Sequence, residues 1–289
     1  MTDQQQPGPS FQPPSPQPPS QPWQGPAGLP PYGQPERSGP QPFIIVVSAL
    51  LAVALFLGAA VMIARTYFPG SSPEVPISEL TTPPNGTEGF GILVNGEEPS
   101  SSLPHLIIWE DPRCPACAFY ETLYGPIVLD LVKEGRITAE IRFAYFLDRQ
   151  QPDGASFRGA VAMAAADDVG FFDQYHAVLF QRQAEGEFTD GALTQFAVEA
   201  GMEGEALARF QELYQARAYS QFVENSYAKF TAEEILATPT YLVSGKRLRF
   251  FDEAANRELI SPTTDSFLAA AEAAWDAGGR QIEAPPEPR

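Results

Sequence analysis

Cys114-Pro115-Ala116-Cys117 holds both cysteines of this 289-residue chain. Two thiols at this spacing can do redox chemistry, because on a helix they lie within one turn and the second can attack a mixed disulfide formed at the first. The four residues follow an apolar run and open a helical pattern, which puts the first thiol at a helix N-terminus. Free N–H groups and the helix dipole favour an anion there, so Cys114 should be acidic and nucleophilic. Other uses of the pair are weaker. Half of a zinc site would lack its other half, since there is no second cysteine pair and no histidine cluster. A copper site would need His105 or His176, which stand in no motif with the cysteines. A structural disulfide would close a loop of only four residues and add little loop-closure stabilisation.

The elements around the pair can be read from periodicity. Leu103–Trp109 (LPHLIIW) is a short continuous apolar run, as in a strand buried on both faces. A helix should follow from about Cys114 to Glu134, kinked at Gly125-Pro126. Upstream, Phe90–Val94 is a short strand ended by the turn pair Asn95-Gly96. Ile137–Leu147 (ITAEIRFAYFL) is strand-like, with Ile137, Ala139, Ile141, Phe143 and Tyr145 on one face. Residues 155–235 carry helical patterns without a strand signal, broken near Gly186 and Gly201. Tyr241–Val243 and Arg247–Phe251 flank Ser244-Gly245-Lys246, a hairpin signal, and an Ala-rich helix should run from about Ser261 to Ala277. The order β, β-α-β, helical block, β-hairpin, α predicts an α/β layer with a helical insertion. Gly89 to Gly278 supplies roughly 190 residues, enough for one sizeable core. Phe171, Phe172, Tyr175, Val178, Leu179 and Phe180 could line a groove, but aromatics at this density read as core. His176 reads as an ordinary surface or half-buried residue, and His105 is uncommitted.

Thr238-Pro239-Thr240 is a weak signal alone, since proline commonly starts a strand. It stands about 120 residues after the cysteine pair, and that combination resembles the DsbA-like branch of the thioredoxin superfamily. The matching pieces are Trp109-Glu110-Asp111-Pro112-Arg113-Cys114-Pro115-Ala116-Cys117 behind a strand, the all-helical insertion, and Ala237-Thr238-Pro239-Thr240-Tyr241-Leu242-Val243 leading into a hairpin. The Pro-rich head with a single span is similar to the membrane-anchored members of high-GC Gram-positive bacteria. The resemblance implies a thioredoxin fold, α/β with an all-helical insertion, in which Pro239 is cis and faces the cysteines. It also implies that Thr238 and Pro239 shape a peptide-binding edge, that Cys114 is the exposed nucleophile, and that Cys117 is the buried resolving thiol. Two positions depart from the family. Six residues before the first cysteine, where these proteins often carry a buried acid, stands Ile108. Glu110 and Asp111 are nearer and are candidate proton acceptors for Cys117, or else solvated turn carboxylates. Pro115-Ala116 at the helix start lacks the histidine of the strongest oxidants in the family.

The rest of the chain sets where this chemistry would operate. Residues 1–42 hold 14 of the 30 prolines and nine glutamines, a composition that stays disordered. Phe43 to Ala64 is 22 residues without a charge, roughly 33 Å as a helix, long enough for a bilayer core of about 30 Å. It starts too deep and is too long for a cleaved signal peptide, so a retained signal anchor is expected. Residues 65–88 read as a linker and 279–289 as a disordered tail. The formal net charge of −18 argues against binding nucleic acid or anionic lipid through the overall field. Arg37 and Arg65 flank the span and leave its orientation open; the chemistry decides it. A protein-oxidising pair cannot work against cytosolic thiol pools, so the N-terminus should be cytoplasmic and the catalytic domain extracytoplasmic. The expected activity is thiol-disulfide exchange that introduces disulfides into exported cysteine-containing proteins, with a quinone-coupled membrane oxidase as reoxidant and with no organic cofactor or metal. The alternatives are a reductase or isomerase of the same fold, or a non-catalytic envelope binding module.

Overall fold

The computed structural model describes residues 77, 81–149, 151–185 and 188–286. The expected tail, the span Phe43–Ala64 and most of the linker lie outside these residues. Among the described residues, no helix is long and apolar enough to cross a membrane.

Five strands form the main sheet: β1 (Gly91–Leu93), β2 (His105–Glu110), β3 (Thr138–Phe143), β4 (Thr240–Val243) and β5 (Lys246–Arg247), in the order β1-β3-β2-β4-β5. Only β2 and β3 run parallel, and the connection between them is helix α1 (Pro115–Lys133), as a parallel pair requires. β1 adds to β3, and β4 to β2, both antiparallel. Alternation along β2 explains its unbroken apolar run. Leu106 and Ile108 join the cluster under α1 and the C-terminal helix, which holds Tyr124, Val128, Leu131 and Phe267. Ile107 and Trp109 face the other way, against Phe230, Ile235 and Leu242. Each such aliphatic side chain taken fully out of water contributes about 1.5–3 kcal/mol.

Helix α1 runs unbroken through Pro126, so the expected kink does not divide it. Tyr124, Val128, Leu131 and Val132 are buried along one side, and this packing holds the turns on both sides of the proline. The insertion is five helices, α2 (Ala155–Asp168), α3 (Phe172–Arg182), α4 (Asp190–Glu199), α5 (Gly204–Gln215) and α6 (Ser220–Ala232), before the last helix α7 (Thr264–Ala277).

Several boundaries differ from the sequence reading. β3 ends at Phe143, short of Tyr145 and Leu147, because the Leu147 N–H is taken by the Asp111 carboxylate at 3.2 Å and the chain turns there. The hairpin arm after Ser244-Gly245 spans only Lys246–Arg247 in the sheet. Ser244 and Gly245 both have positive φ, 48° and 73°, the combination that two-residue hairpin turns favour. A second small hairpin, β6 (Phe251–Asp252) with β7 (Arg257–Glu258), follows it. The segment after Gly278, expected to be disordered, is tied down through its described part. Ser244 Oγ donates to the Gln281 carbonyl at 2.7 Å, and Glu283 pairs with Arg142 at 3.0 Å. The domain also starts before Gly89: Asn85 bonds the Asp167 carboxylate through its backbone N–H and side-chain amide, both at 2.8 Å.

Candidate active site

The turn between β2 and α1 is built by Asp111. Its carbonyl accepts the Cys114 N–H at 2.9 Å, and its carboxylate accepts the Arg113 N–H at 2.9 Å. Asp111 is buried, so it is not a solvated turn acid, and each oxygen of its carboxylate accepts a backbone N–H, from Arg113 and from Leu147. Burial raises its pKa to about 6 despite the bonds from the Arg113 and Leu147 N–H groups. Cys114 caps α1 and Pro115 follows at the first helical position, where its missing N–H costs nothing. Gln183, just beyond α3, donates to the carbonyls of Pro112 and Cys114, each at 2.9 Å. The insertion therefore clamps the turn that presents the sulfur.

Cys114 was expected to be exposed, yet it is 8% exposed, while Cys117 is 0%. The cover is the loop before β4. The Thr238–Pro239 bond is cis, and the Cys114 thiol donates to the Thr238 carbonyl at 3.3 Å. Pro115 and Ala116 beside the sulfur are exposed. Both thiols are free. The four residues singled out by motif, Cys114, Cys117, Thr238 and Pro239, thus meet at one place.

The two sulfurs are electrostatically unequal. Cys114 is held at about 5, chiefly because the Cys117 thiol hydrogen-bonds to it; burial opposes this, while the N–H groups of Cys117 and Ala116 reinforce it. Cys117 is pushed well above an ordinary thiol by burial first, then by the same bond to Cys114 and by the nearby charge of Glu110. One thiol is an anion at neutral pH and the other keeps its proton. Such a pair can exchange disulfides, because the thiolate is the reactive form.

Glu110, at the end of β2, is 0% exposed and its charge raises both the Cys117 pKa and, in turn, feels Cys114. Its Oε2 meets His176 Nε2 at 2.7 Å, and His176 Nδ1 lies 3.5 Å from Glu121 Oε1. His176 is therefore buried in an ion pair, not an ordinary surface side chain. Among the described residues, Glu110, Glu121 and His176 are the acid-histidine set whose ligand-type atoms converge within 4.8 Å. Here both ring nitrogens face carboxylates, Glu110 through a hydrogen bond and Glu121 through an ion pair, while Glu110 Oε1 is left without a partner among the described residues. A cavity of about 300 Å³ opens beside it, with Phe172, Phe180, Glu121, His176 and Tyr241 in its wall.

His105 lies at the other end of β2, bonded through Nδ1 to Thr138 Oγ1 at 2.9 Å, and takes no part in the site. Tyr175 and Leu179 are core, and Phe171 and Val178 pack against it. Sequence reasoning missed Glu121, Gln183 and His176 in its role. Glu121 had a usable signal: it stands four residues after Cys117, on the same helix face. The other two arrive from a separate helix, and no local spacing announces them.

The thioredoxin family model matches residues 94–261. No curated protein sequence matches the chain. Among solved structures, the chain is similar to the MdbA protein of Actinomyces oris, described as a thiol-disulfide oxidoreductase, with TM-score 0.52 and 19% identity over 66% of this chain and 91% of that one. It is also similar to the MdbA protein of Corynebacterium diphtheriae, described in the same words, with TM-score 0.50 and 21% identity over 60% of this chain and 90% of that one. At this identity the likeness concerns the fold. Strand order, the cysteine pair at the start of α1, the cis proline opposite it and a family match over more than half of the sequence lead to one conclusion: the chain belongs to the thioredoxin family.

Proposed function

We propose that this chain is a membrane-anchored, extracytoplasmic thiol-disulfide oxidoreductase of the DsbA type that introduces disulfides into exported proteins through Cys114 and Cys117. One observation carries the reading: an acidic thiol at about 5 lies beside a thiol pushed far up, with the Thr238 backbone 3.3 Å from the reactive sulfur. The name thiol-disulfide oxidoreductase borne by both similar structures supports it.

In the oxidised protein, a substrate thiolate attacks Cys114 Sγ, the Cys114–Cys117 bond breaks, and its electron pair leaves on Cys117. Cys117 then takes up a proton from solvent, because burial and the nearby charge of Glu110 hold its pKa well above that of an ordinary thiol. The substrate's second thiolate attacks the mixed disulfide, leaving the substrate oxidised and Cys114 as a thiolate that its surroundings stabilise. A low-pKa leaving thiol speeds this release. The Thr238 backbone edge is suited to hold an extended peptide beside the sulfur. A quinone-coupled membrane oxidase would remove the two electrons. The uncharged run Phe43–Ala64 supports the anchor, and the need to work apart from cytosolic thiols supports an outward-facing domain.

Cys117→Ser should accumulate covalent complexes with exported, cysteine-containing proteins, and Cys114→Ser should not. Purification without reductant, followed by reduction and identification of the released chains, makes the comparison. Equal yields, or none from either, would favour a non-catalytic binding module. The potential of the couple decides direction: within the span of about −270 to −120 mV known for such pairs, only the upper part suits a disulfide donor. Labelling the C-terminus on intact cells tests orientation, and a cytoplasmic C-terminus would favour a reductase.

A further inference from the structure

We propose that His176, locked between Glu110 and Glu121, is a positioning residue that keeps Glu110 ionised so that Glu110 can accept the proton of Cys117. The inference rests on the disulfide-exchange reading above and assigns a role to a histidine that does not touch substrate.

The geometry points to a charged ring. Nε2 lies 2.7 Å from Glu110 Oε2 and Nδ1 lies 3.5 Å from Glu121 Oε1. A neutral imidazole has one N–H and would turn a lone pair toward one of these oxygens, whereas the imidazolium donates to both. Burial alone would draw the ring proton off, but Glu121 and Glu110 more than offset it and raise the pKa well above that of a free histidine. The other groups bearing on the cluster are Cys114 at the cap of α1, Cys117 on α1, Asp173 on α3, which Lys133 at the end of α1 also faces, and Tyr241 on β4.

Glu110 needs that cation. It is completely buried, and burial pushes its carboxyl toward the neutral acid, against which His176 pulls. Its Oε1 is buried and has no hydrogen-bond partner among the described residues. A carboxylate with one oxygen pinned by an imidazolium and the other unoccupied is ready to accept a proton. In the resolving step the Cys117 S–H gives its proton to Glu110, and the Cys117 thiolate attacks Cys114 Sγ. The Cys114–Cys117 bond forms while the bond from Cys114 to the partner sulfur breaks, and the electron pair leaves on that sulfur as a thiolate. When the pair is reduced the same bonds break and form in the reverse order, and Cys117 takes up its proton from solvent. With His176 removed, burial would push the Glu110 carboxyl further toward the neutral acid, which accepts a proton less readily.

The test uses the full-length protein and glutathione as the probe. Reduced protein is mixed with glutathione disulfide, so that Cys114 forms a mixed disulfide, and the release of glutathione by Cys117 is followed against pH. In His176→Gln the inflection of this second step should move up by at least about one pH unit, and release near pH 7 should fall about tenfold or more. Glu121→Gln should shift it the same way by less. Superimposable profiles for wild type and His176→Gln would overturn the inference and leave the oxidoreductase reading intact; a wild type that releases no glutathione would overturn that reading itself. Nitrogen NMR of histidine-labelled wild type needs no substitution. The chain has two histidines, and burial lowers His105, so near about pH 8 the spectrum should show one imidazolium and one neutral ring. Two neutral rings would equally overturn the role given to His176.

Discussion

Cys114 owes its acidity first to the S–H of Cys117 and only then to the helix end. A cysteine at a helix N-terminus would be expected to gain mainly from the free N–H groups, so the two views differ in what they predict for a variant. In Cys117→Ala the Cys114 thiol should rise from about 5 toward the ordinary value of about 8.5 without reaching it, because the backbone N–H groups remain. Thr238→Val removes a hydroxyl that makes no hydrogen bond and keeps the carbonyl that meets the sulfur, so it should shift the titration far less. Thiolate absorbance against pH reads both, and a Cys117→Ala titration that overlays the wild type would show that the helix end suffices. At this scale Cys114, Cys117, Thr238 and Pro239 were legible because their chemistry is written in adjacent letters. Glu110 was legible as a candidate, but its burial was not, since a Glu-Asp-Pro string looks like a solvated turn. His176 could not be read at all: its partners stand 66 and 55 positions away on other elements, and one histidine among aromatics has no local signature.

Elements hold these residues at their distances through a few close contacts, one of which involves a glycine. Gly159 on α2 faces the turn that carries the site; a Cβ there would stand 2.8 Å from Pro112 Cβ and 3.1 Å from the Phe188 ring. Alanine is the better helix former by about 1 kcal/mol, so propensity alone would have Gly159→Ala stabilise the protein. The contact predicts the opposite. Pro112 is ring-locked and its carbonyl is held by Gln183, so the turn from Asp111 to Cys114 must shift, and a core with an extra methylene typically loses about 1–3 kcal/mol. Chemical denaturation should show the loss of stability, and thiolate titration should show Cys114 moved off its value of about 5; an unchanged or stabilised variant would mean that α2 recedes freely. The element order was legible because the strands are apolar runs and the helices are periodic. Ends were not, where a side chain far along the chain decides them. The Asp111 carboxylate stops β3 before Tyr145. Ser244 and Arg142 secure residues 281 and 283, which composition alone reads as loose.

At the scale of the whole molecule, the same contacts tie redox state to stability. β2 brings Glu110, the start of α1 brings the cysteines, the loop before β4 brings Thr238, and the insertion brings His176 and Gln183; the charged sulfur is stabilised by Cys117 and the first N–H groups of α1, which stand around it only in the folded chain. The sign follows from proton binding. An unfolded Cys114 would titrate near about 8.5, and the folded one titrates at about 5, so between these values the unfolded reduced chain binds more protons and folding stability rises with pH. That contribution is complete above about pH 8.5 and is lost as pH falls through about 5. Cys117 is raised and works in the opposite direction only above its unfolded value of about 8.5, outside this window. The disulfide form has no thiolate and lacks the effect. The stability of the reduced protein minus that of the oxidised protein should therefore grow as pH rises from about 5 to about 8, reaching about 1–2 kcal/mol near neutrality once partial solvent screening is allowed for. A pair whose reduced form is the stabilised one gives its disulfide away readily, so the same measurement bears on direction. Urea unfolding of both redox forms across this range makes the comparison. Subtracting the two removes every other titrating group that behaves alike in both forms, including the buried Asp111 and its pKa of about 6. A difference that stays flat with pH would show that Cys114 is no more acidic in the folded protein than in the open chain, and the disulfide-donating role would lose its physical basis.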